Sequence, residues 1–298
     1  MKRHILSAAC GAAIIGAASV ACSDNTHKNP FLEAYTTPYE IPPFDQITYD
    51  DYLPALEAGI AQHQEQIDSI VANPDTPTFE NTILALDRSG EILEKVVAVF
   101  ANLDESNSSP EMVAIAEKFY PMLSQHSDET SMNDKLFARI KYLYDHPELG
   151  YATDQRRMIE DSYKSFTRNG ALLDADKKEE LKKVNSELTD LYLQFNKNLL
   201  NATNGFNIVI EDSARLAGLP ASSIAVAAEE AAKRGLGEGK WVFTLHAPSR
   251  LPLLQYADDR DLRKQMYEGY TTLASSGEYD NNPVISKILQ ARAKKAQL

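Results

Sequence analysis

The chain has 298 residues and a net charge of −13, because 43 acidic side chains outnumber 30 basic ones. This balance excludes nucleic acids and anionic membrane surfaces as natural partners, since binding to polyanions draws its affinity from Lys and Arg side chains that neutralise phosphates. With 43% hydrophobic and 24% charged residues, the composition is that of a folded protein. We therefore expect an acidic globular protein that has no nucleic-acid partner.

The first 21 residues are typical of an export signal. Two basic residues at positions 2 and 3 precede an apolar run rich in Ala, Gly and Ile, which ends in the sequence SVAC at 19–22. The run is too short and too rich in small residues for a strong transmembrane candidate. Cys22 resembles the lipid-attachment residue of bacterial lipoproteins, although Ser19 stands where Leu is usual. We therefore expect export to the bacterial cell envelope, either lipid-anchored through Cys22 or, as the alternative, soluble in the periplasm.

The chain has only two cysteines, Cys10 and Cys22, and both belong to this N-terminal region. The rest of the chain has no thiol that could form a disulfide, act as a nucleophile or ligate zinc. We therefore expect the body to be held together by its hydrophobic core alone.

Residues 22–48 form a leader that contains several prolines, and residues 49–298 form the body. Prolines fix φ and remove hydrogen-bond donors, so the leader is predicted to be extended. Four aromatic residues make it too apolar for a free linker, and we expect them to lie across the body: Phe31, Tyr35, Tyr39 and Phe44.

The body shows helical spacing from about residue 49 onward. Thr76 and Ser109 are each followed by proline, which is the pattern of a helix N-cap and first turn. Between them, apolar residues and Gly90 recur at helical spacing over 83–100. A long helix is predicted after Asp174, with one apolar stripe typical of a core or a helix-hairpin seam: Leu181, Val184, Leu188, Leu191, Phe195 and Leu199.

Two five-residue segments, 206–210 and 241–245, are instead rich in β-branched and aromatic residues. They flank a helical segment at 222–234, and further helices are predicted at 259–273 and from Pro283 onward. The predicted fold class is therefore all-α, mainly helical, with at most a small two-stranded β ribbon.

Histidines give no recognisable zinc motif. The zincin motif needs two histidines four residues apart on one helical face with Glu directly after the first, and no two of the six histidines have that spacing. The nearest approach to a ligand cluster is 126–129 (HSDE), which we expect to be a solvated turn between helices because a lone His with adjacent acids has no defined ligand geometry.

A glycine-rich segment at 235–240 superficially resembles a phosphate-binding loop. It lacks the first glycine of that motif, and it runs from helix into strand, the reverse of the order that places phosphate at a helix N-terminus. A helix-to-strand turn is the better interpretation. The Gly-x-Ser-x-Gly elbow of serine hydrolases does not occur. No catalytic, cofactor-binding or metal-binding residue can therefore be assigned from the sequence.

Several strings nevertheless resemble a known family, the thimet oligopeptidase and oligopeptidase A family of zinc metallopeptidases, and its bacterial peptidyl-dipeptidases in particular. They follow one another through nearly all of the chain after the signal: 29–32 (NPFL), 42–47 (PPFDQI), 52–56 (YLPAL), 72–82 (ANPDTPTFENT), 166–171 (FTRNGA), 188–198 (LTDLYLQFNKN), 216–220 (LAGLP), 239–245 (GKWVFTL), 261–263 (DLR) and 280–296.

The resemblance implies an elongated helical fold cut by a deep channel, with zinc at its floor. In the family, zinc is held by a His-Glu-x-x-His helix and a later Glu, which lie downstream of the region matched here, so no ligand can be transferred to this chain. The chain is then expected to be the N-terminal part of an exported peptidyl-dipeptidase, truncated before the catalytic half and inactive alone. Its helices would form one channel wall, restrict entry to short peptides and pack against the missing C-terminal half.

The alternative from a different class is a non-enzymatic helical lipoprotein that binds peptides or acts as a scaffold. The absence of a recognisable site supports this alternative. A truncated product without function is a third possibility.

Overall fold

A computed structural model describes residues 27–298, and both the export signal and Cys22 lie outside that range. Within it the chain is predominantly helical with one two-stranded antiparallel ribbon, so the predicted fold class is confirmed. The helices are α1 (Tyr52–Ala72), α2 (Ala85–Asp87), α3 (Glu91–Ser106), α4 (Pro110–Ser131), α5 (Asp134–Asp145), α6 (Thr153–Arg168), α7 (Ala175–Gly205), α8 (Ala221–Lys233), α9 (Ala247–Tyr256), α10 (Arg260–Thr271) and α11 (Asn282–Gln297).

The first core lies between α1, α3 and α4 and is rich in aromatic side chains. Phe100 stacks on Phe119 with ring centroids 4.2 Å apart, and Tyr52 meets Phe100 edge to face. The leader contributes Phe31, which is fully buried against Tyr52. Tyr39 and Phe44 are 96% and 54% exposed, so the expectation that all four leader aromatics pack on the body is wrong for these two residues.

The segment before α3 differs from the single helical run predicted over 83–100. Thr78, not Thr76, caps the first turn, because its hydroxyl accepts a hydrogen bond from the Asn81 amide at 3.1 Å. A π-helical turn then leads into α2, and the chain turns at Gly90 with φ +78° before α3 begins. Glycine suits this left-handed position because it has no Cβ. The helical spacing therefore continues across a turn.

The second core joins the end of α1 to α5, α6 and the π-helical turn. A buried arginine, Arg139 on α5, lies at its polar edge and donates to the carbonyl oxygen of Asn73 at 3.0 Å and to Asn81 Oδ1 at 2.9 Å. These bonds fix the connection between α1 and α2.

Helix α7 forms the seam predicted from its apolar stripe. Its N-terminus is capped by Asp174, which accepts from the Lys177 amide, and its buried residues pack against α11. At the far end of this seam the buried side chain of Asn281 accepts from Asn198 and donates to the Phe195 carbonyl oxygen. Packing and hydrogen bonds together fix α11 along α7.

The remaining elements form a smaller core around the ribbon. Strands β1 (Asn207–Ile210) and β2 (Trp241–Thr244) pair antiparallel, with Ile208 opposite Phe243. Helices α8 and α9 pack on β2, and α10 packs on α9. Both predicted strands therefore exist and pair as predicted.

Candidate functional site

The structure has an open groove of about 940 Å³. It runs from the turn between α3 and α4 along the C-terminal half of α7 and reaches His246, between β2 and α9. We call it the α3–α7 groove. The following side chains matter for its chemistry: Asp104, Glu105, Glu117, Asp190, Lys197 and His246.

The groove is acidic. Four carboxylates and one lysine line it, and that lysine, Lys197, pairs with Glu117 at 2.7 Å. Asp104 is held in place by the Tyr120 hydroxyl, which donates to its Oδ2 at 3.0 Å. Burial and the adjacent Asp104 raise the pKa of Tyr120, so the phenol stays a neutral donor. Cationic groups are therefore favoured in this groove over anionic ones.

The groove also has an apolar side. Leu193, Leu199 and Leu200 of α7 line it together with Val113 and Ala116 of α4. Apolar walls combined with a few fixed polar groups are typical of ligand-binding clefts. The sequence indicates none of these lining residues as a site, because they come together only when α3, α4 and α7 pack.

The expectation for His126 is wrong. It lies inside α4, not in a turn between helices, and it is only 4% exposed. Its Nε2 is 2.8 Å from Nδ1 of His63 on α1, so one proton is shared between the two nitrogens. Burial lowers the pKa of both imidazoles, which favours two neutral rings.

The acidic neighbours of His126 do not join it. Asp128 accepts a hydrogen bond from Asn185 on α7, and Glu129 is exposed and accepts from Gln125. The HSDE string is therefore split between different surroundings because successive helical residues point in different directions. Across residues 27–298, no group of three or more His, Cys, Asp or Glu could hold a metal ion.

The glycine-rich segment at 235–240 is a helix-to-strand turn, as expected. It joins α8 to β2, and Gly235 and Gly239 have φ of +74° and +78°. Lys240 pairs with Glu211 at 2.6 Å, so its ammonium group is engaged within the ribbon.

Of the helices in the part of the chain that is described, none has the length and apolarity needed to cross a bilayer.

Comparison with known proteins shows that the chain is similar to part of several peptidases. It is 35% identical over 275 residues to the dipeptidyl carboxypeptidase of Escherichia coli, a match that covers 92% of this chain and 40% of that protein. It is 31% identical over 278 residues to oligopeptidase A of the same organism, and 29% identical over 286 residues to the organellar oligopeptidase A of Arabidopsis thaliana. No family model matches the chain.

The chain is therefore a predominantly helical protein that is similar to peptidases over about nine-tenths of its own length. Over most of its length the chain is similar to members of the thimet oligopeptidase and oligopeptidase A family, and the resemblance indicated by its sequence strings is confirmed. It spans about two-fifths of the length of the curated relatives it matches.

Proposed function

We propose that this chain is the N-terminal, non-catalytic portion of an exported zinc peptidyl-dipeptidase that releases C-terminal dipeptides from short peptides. One observation carries the proposal: 92% of the chain aligns with 40% of a dipeptidyl carboxypeptidase at 35% identity. A match of this extent supports descent from the same kind of enzyme, and the whole enzyme would supply the chemistry.

Zinc enters this proposal only through the family resemblance. The described residues do not fit a zinc site, because no group of three or more donors comes together in them, and the histidine pair His63 and His126 has no third ligand beside it. We therefore assign no step of the reaction to this chain. Its role in the proposal is to form one wall of the substrate channel, and the α3–α7 groove is the surface with room for a peptide.

A peptidase assay with added zinc tests the non-catalytic role. We expect the purified chain to release no dipeptide from a blocked tetrapeptide. Metal-dependent release, lost on adding a chelator, would refute the proposed role.

The coding sequence downstream of Leu298 provides the second test. An open reading frame that encodes His-Glu-x-x-His, and a longer product that releases dipeptides, would support the proposal. A stop codon directly after Leu298, combined with peptide binding without cleavage, would favour the non-enzymatic scaffold instead.

We also propose that the protein is exported and lipid-anchored through Cys22. The order of charged, apolar and small residues before Cys22 supports this. Radiolabelled palmitate fed to a bacterial host should label the protein, and Cys22→Ser should abolish labelling. Cys10→Ser is the matched control, since Cys10 lies within the apolar run and should be dispensable. Labelling that survives Cys22→Ser would exclude this anchor.

A further inference from the structure

A second cavity, of about 420 Å³, lies between α4, α7 and α11, on side chains that the proposed function does not use. We call it the polar pocket. Its charged and polar lining includes Asp128, Asn185, Tyr192, Arg292 and Lys295. It therefore brings both signs of charge to one small space.

The two cations of the pocket have no carboxylate partner within residues 27–298. The Arg292 Nε donates to the Tyr192 hydroxyl at 2.7 Å, and its guanidinium lies 5.4 Å from the centre of that ring. This contact uses one edge of the guanidinium and leaves its two terminal nitrogens for a ligand. By contrast Lys294, the neighbour of Lys295, pairs with Glu180 at 2.8 Å and does not line the pocket.

The carboxylate of the pocket is likewise without an ion pair among the described residues. Asp128 is half-buried and accepts from the Asn185 Nδ2 at 2.7 Å. Burial raises the pKa of Asp128, and the Asn185 hydrogen bond and the nearby charges of Lys295 and Lys182 offset part of this desolvation. A cationic group brought to Asp128 would replace that lost solvation.

One amide separates the opposite charges. Asn185 donates to Asp128 and accepts from the Lys295 Nζ, which is also at 2.7 Å. This bridge keeps the carboxylate and the ammonium close to each other without direct contact. The spacing suits a ligand that carries an ammonium and a carboxylate a few atoms apart, because each ligand charge then meets its opposite.

We propose that the polar pocket binds a small zwitterion, an α-amino acid or a very short peptide, with its ammonium on Asp128 and its carboxylate on Arg292 and Lys295. A simple anion would be repelled by Asp128, and a simple cation by the other two residues. Leu188 lines the same pocket and offers an apolar surface for a side chain. This inference is independent of the proposed peptidase role.

Calorimetric titration of the purified protein with three probes tests the proposal. L-alanine carries both charges, whereas acetate and ethylamine carry one each. We expect L-alanine to bind at least about tenfold more tightly than either, which is the effect of one additional charge-assisted hydrogen bond. L-alanyl-L-alanine then distinguishes the two sources, since tighter binding of the dipeptide identifies a peptide ligand and weaker binding identifies a single amino acid.

Three variants separate specific binding from general charge effects. Asp128→Asn should weaken L-alanine binding about tenfold while leaving acetate binding unchanged or tighter. Arg292→Gln should weaken the binding of both L-alanine and acetate. Lys294→Gln is the matched control, with the same loss of charge on the same helix outside the pocket, and should weaken neither.

Four results would overturn the proposal. L-alanine could show no binding, or no advantage over acetate. Lys294→Gln could weaken binding as much as Arg292→Gln does, which would indicate non-specific attraction. Asp128→Asn could weaken acetate and L-alanine equally, which would indicate a structural role for that residue.

Discussion

His63 on α1 and His126 on α4 form one hydrogen bond between imidazole nitrogens 2.8 Å apart. The rings meet edge to face, with centroids 5.0 Å apart, in the region where α1 and α4 pack. For His63, burial lowers the pKa first, and the nearby His126 lowers it further. For His126, burial is again the main cause of a lowered pKa, and the exposed Glu129 opposes it weakly. The folded protein thus favours the unprotonated pair.

This pair predicts acid-sensitive stability. An unfolded histidine has a pKa of about 6.5, so below that pH the unfolded chain binds more protons than the folded one. Above about pH 6.5 the pair should therefore add no pH dependence to the free energy of unfolding. Below about pH 6.5 the free energy of unfolding should fall as the pH drops. Urea unfolding between pH 5 and 8 measures this dependence.

His126→Gln keeps a hydrogen-bonding side chain but removes one titrating group. It should reduce the proton uptake on unfolding near pH 6 by up to about one proton. His246→Gln is the control, because it removes an exposed histidine and leaves the His63–His126 pair intact. An unaltered slope in His126→Gln would show that the acid sensitivity arises elsewhere.

The close approach of α1 to α3 gives a second prediction. A Cβ on Gly59 would lie 2.7 Å from the backbone nitrogen of Leu93, and backbone atoms cannot rotate away. Gly59→Ala should therefore destabilise the fold by about 1–3 kcal/mol, despite the higher helix propensity of alanine.

Gly205→Ala is the matched control for this change. Gly205 lies at the end of α7, and a Cβ there would meet no atom within 4 Å. Its replacement should be neutral or stabilise by about 0.5 kcal/mol. Denaturant midpoints of the two variants measure the difference, and equal midpoints would contradict the close approach.

Sequence patterns predict the features that depend on neighbours in the chain. Ser109 and Asp174 are helix caps because a cap bonds to an amide three residues ahead, which the sequence displays directly. The prediction of a cap at Thr76 is wrong because Thr78 competes for the same turn and has Asn81 three residues later to complete a reciprocal cap.

Features that depend on distant contacts are not predictable in this way. His63 and His126 are 63 positions apart, and the polar pocket joins Asp128 on α4 to Lys295 on α11 through Asn185. Local patterning does not fix which helices pack side by side. The HSDE string is polar, which by itself suggests a turn, and nothing local shows that His126 is buried against another helix. The family strings indicate the class of protein without identifying these contacts.

Arg139 gives a third prediction about stability. It is 8% exposed and donates to four acceptors, including Thr82 Oγ1 at 3.3 Å and the Asp75 carbonyl oxygen at 3.4 Å. Arg139→Met should destabilise by about 2–4 kcal/mol, since it removes a buried network of hydrogen bonds and deprives the carbonyl oxygens of Asn73 and Asp75 of this donor. Arg139→Lys should recover only part of this loss, because an ammonium cannot reproduce the planar fork of a guanidinium.

The control for Arg139 is Arg157→Met on the exposed surface of α6, where Asp161 is the one salt-bridge partner of the arginine among the described residues. Exposed pairs of this kind contribute about 0–1 kcal/mol, so this variant should unfold almost as the parent does. If Arg139→Met and Arg157→Met unfold at the same urea concentration, the hydrogen bonds of Arg139 do not stabilise the fold.

The charge of the α3–α7 groove predicts which peptides bind there. If the groove receives peptide, a tetrapeptide containing Lys should bind more tightly than the same peptide with Glu, and added salt should reduce the difference. Asp190 is exposed and lines the groove, and no basic side chain of the described residues pairs with it. Asp190→Asn should therefore weaken the Lys peptide about twofold to fivefold, as expected for one exposed charge pair.

Glu187→Gln removes a charge from the same helix, α7, at a position that does not line the groove. Fluorescence anisotropy of labelled tetrapeptides at two salt concentrations compares the two variants with the parent. Because Asp190 and Glu187 contribute equally to net charge, only a local contact can distinguish them. If both variants weaken binding of the Lys peptide equally, the peptide responds to the overall charge of −13. If the parent protein shows no preference for the Lys peptide over the Glu peptide, peptides bind elsewhere.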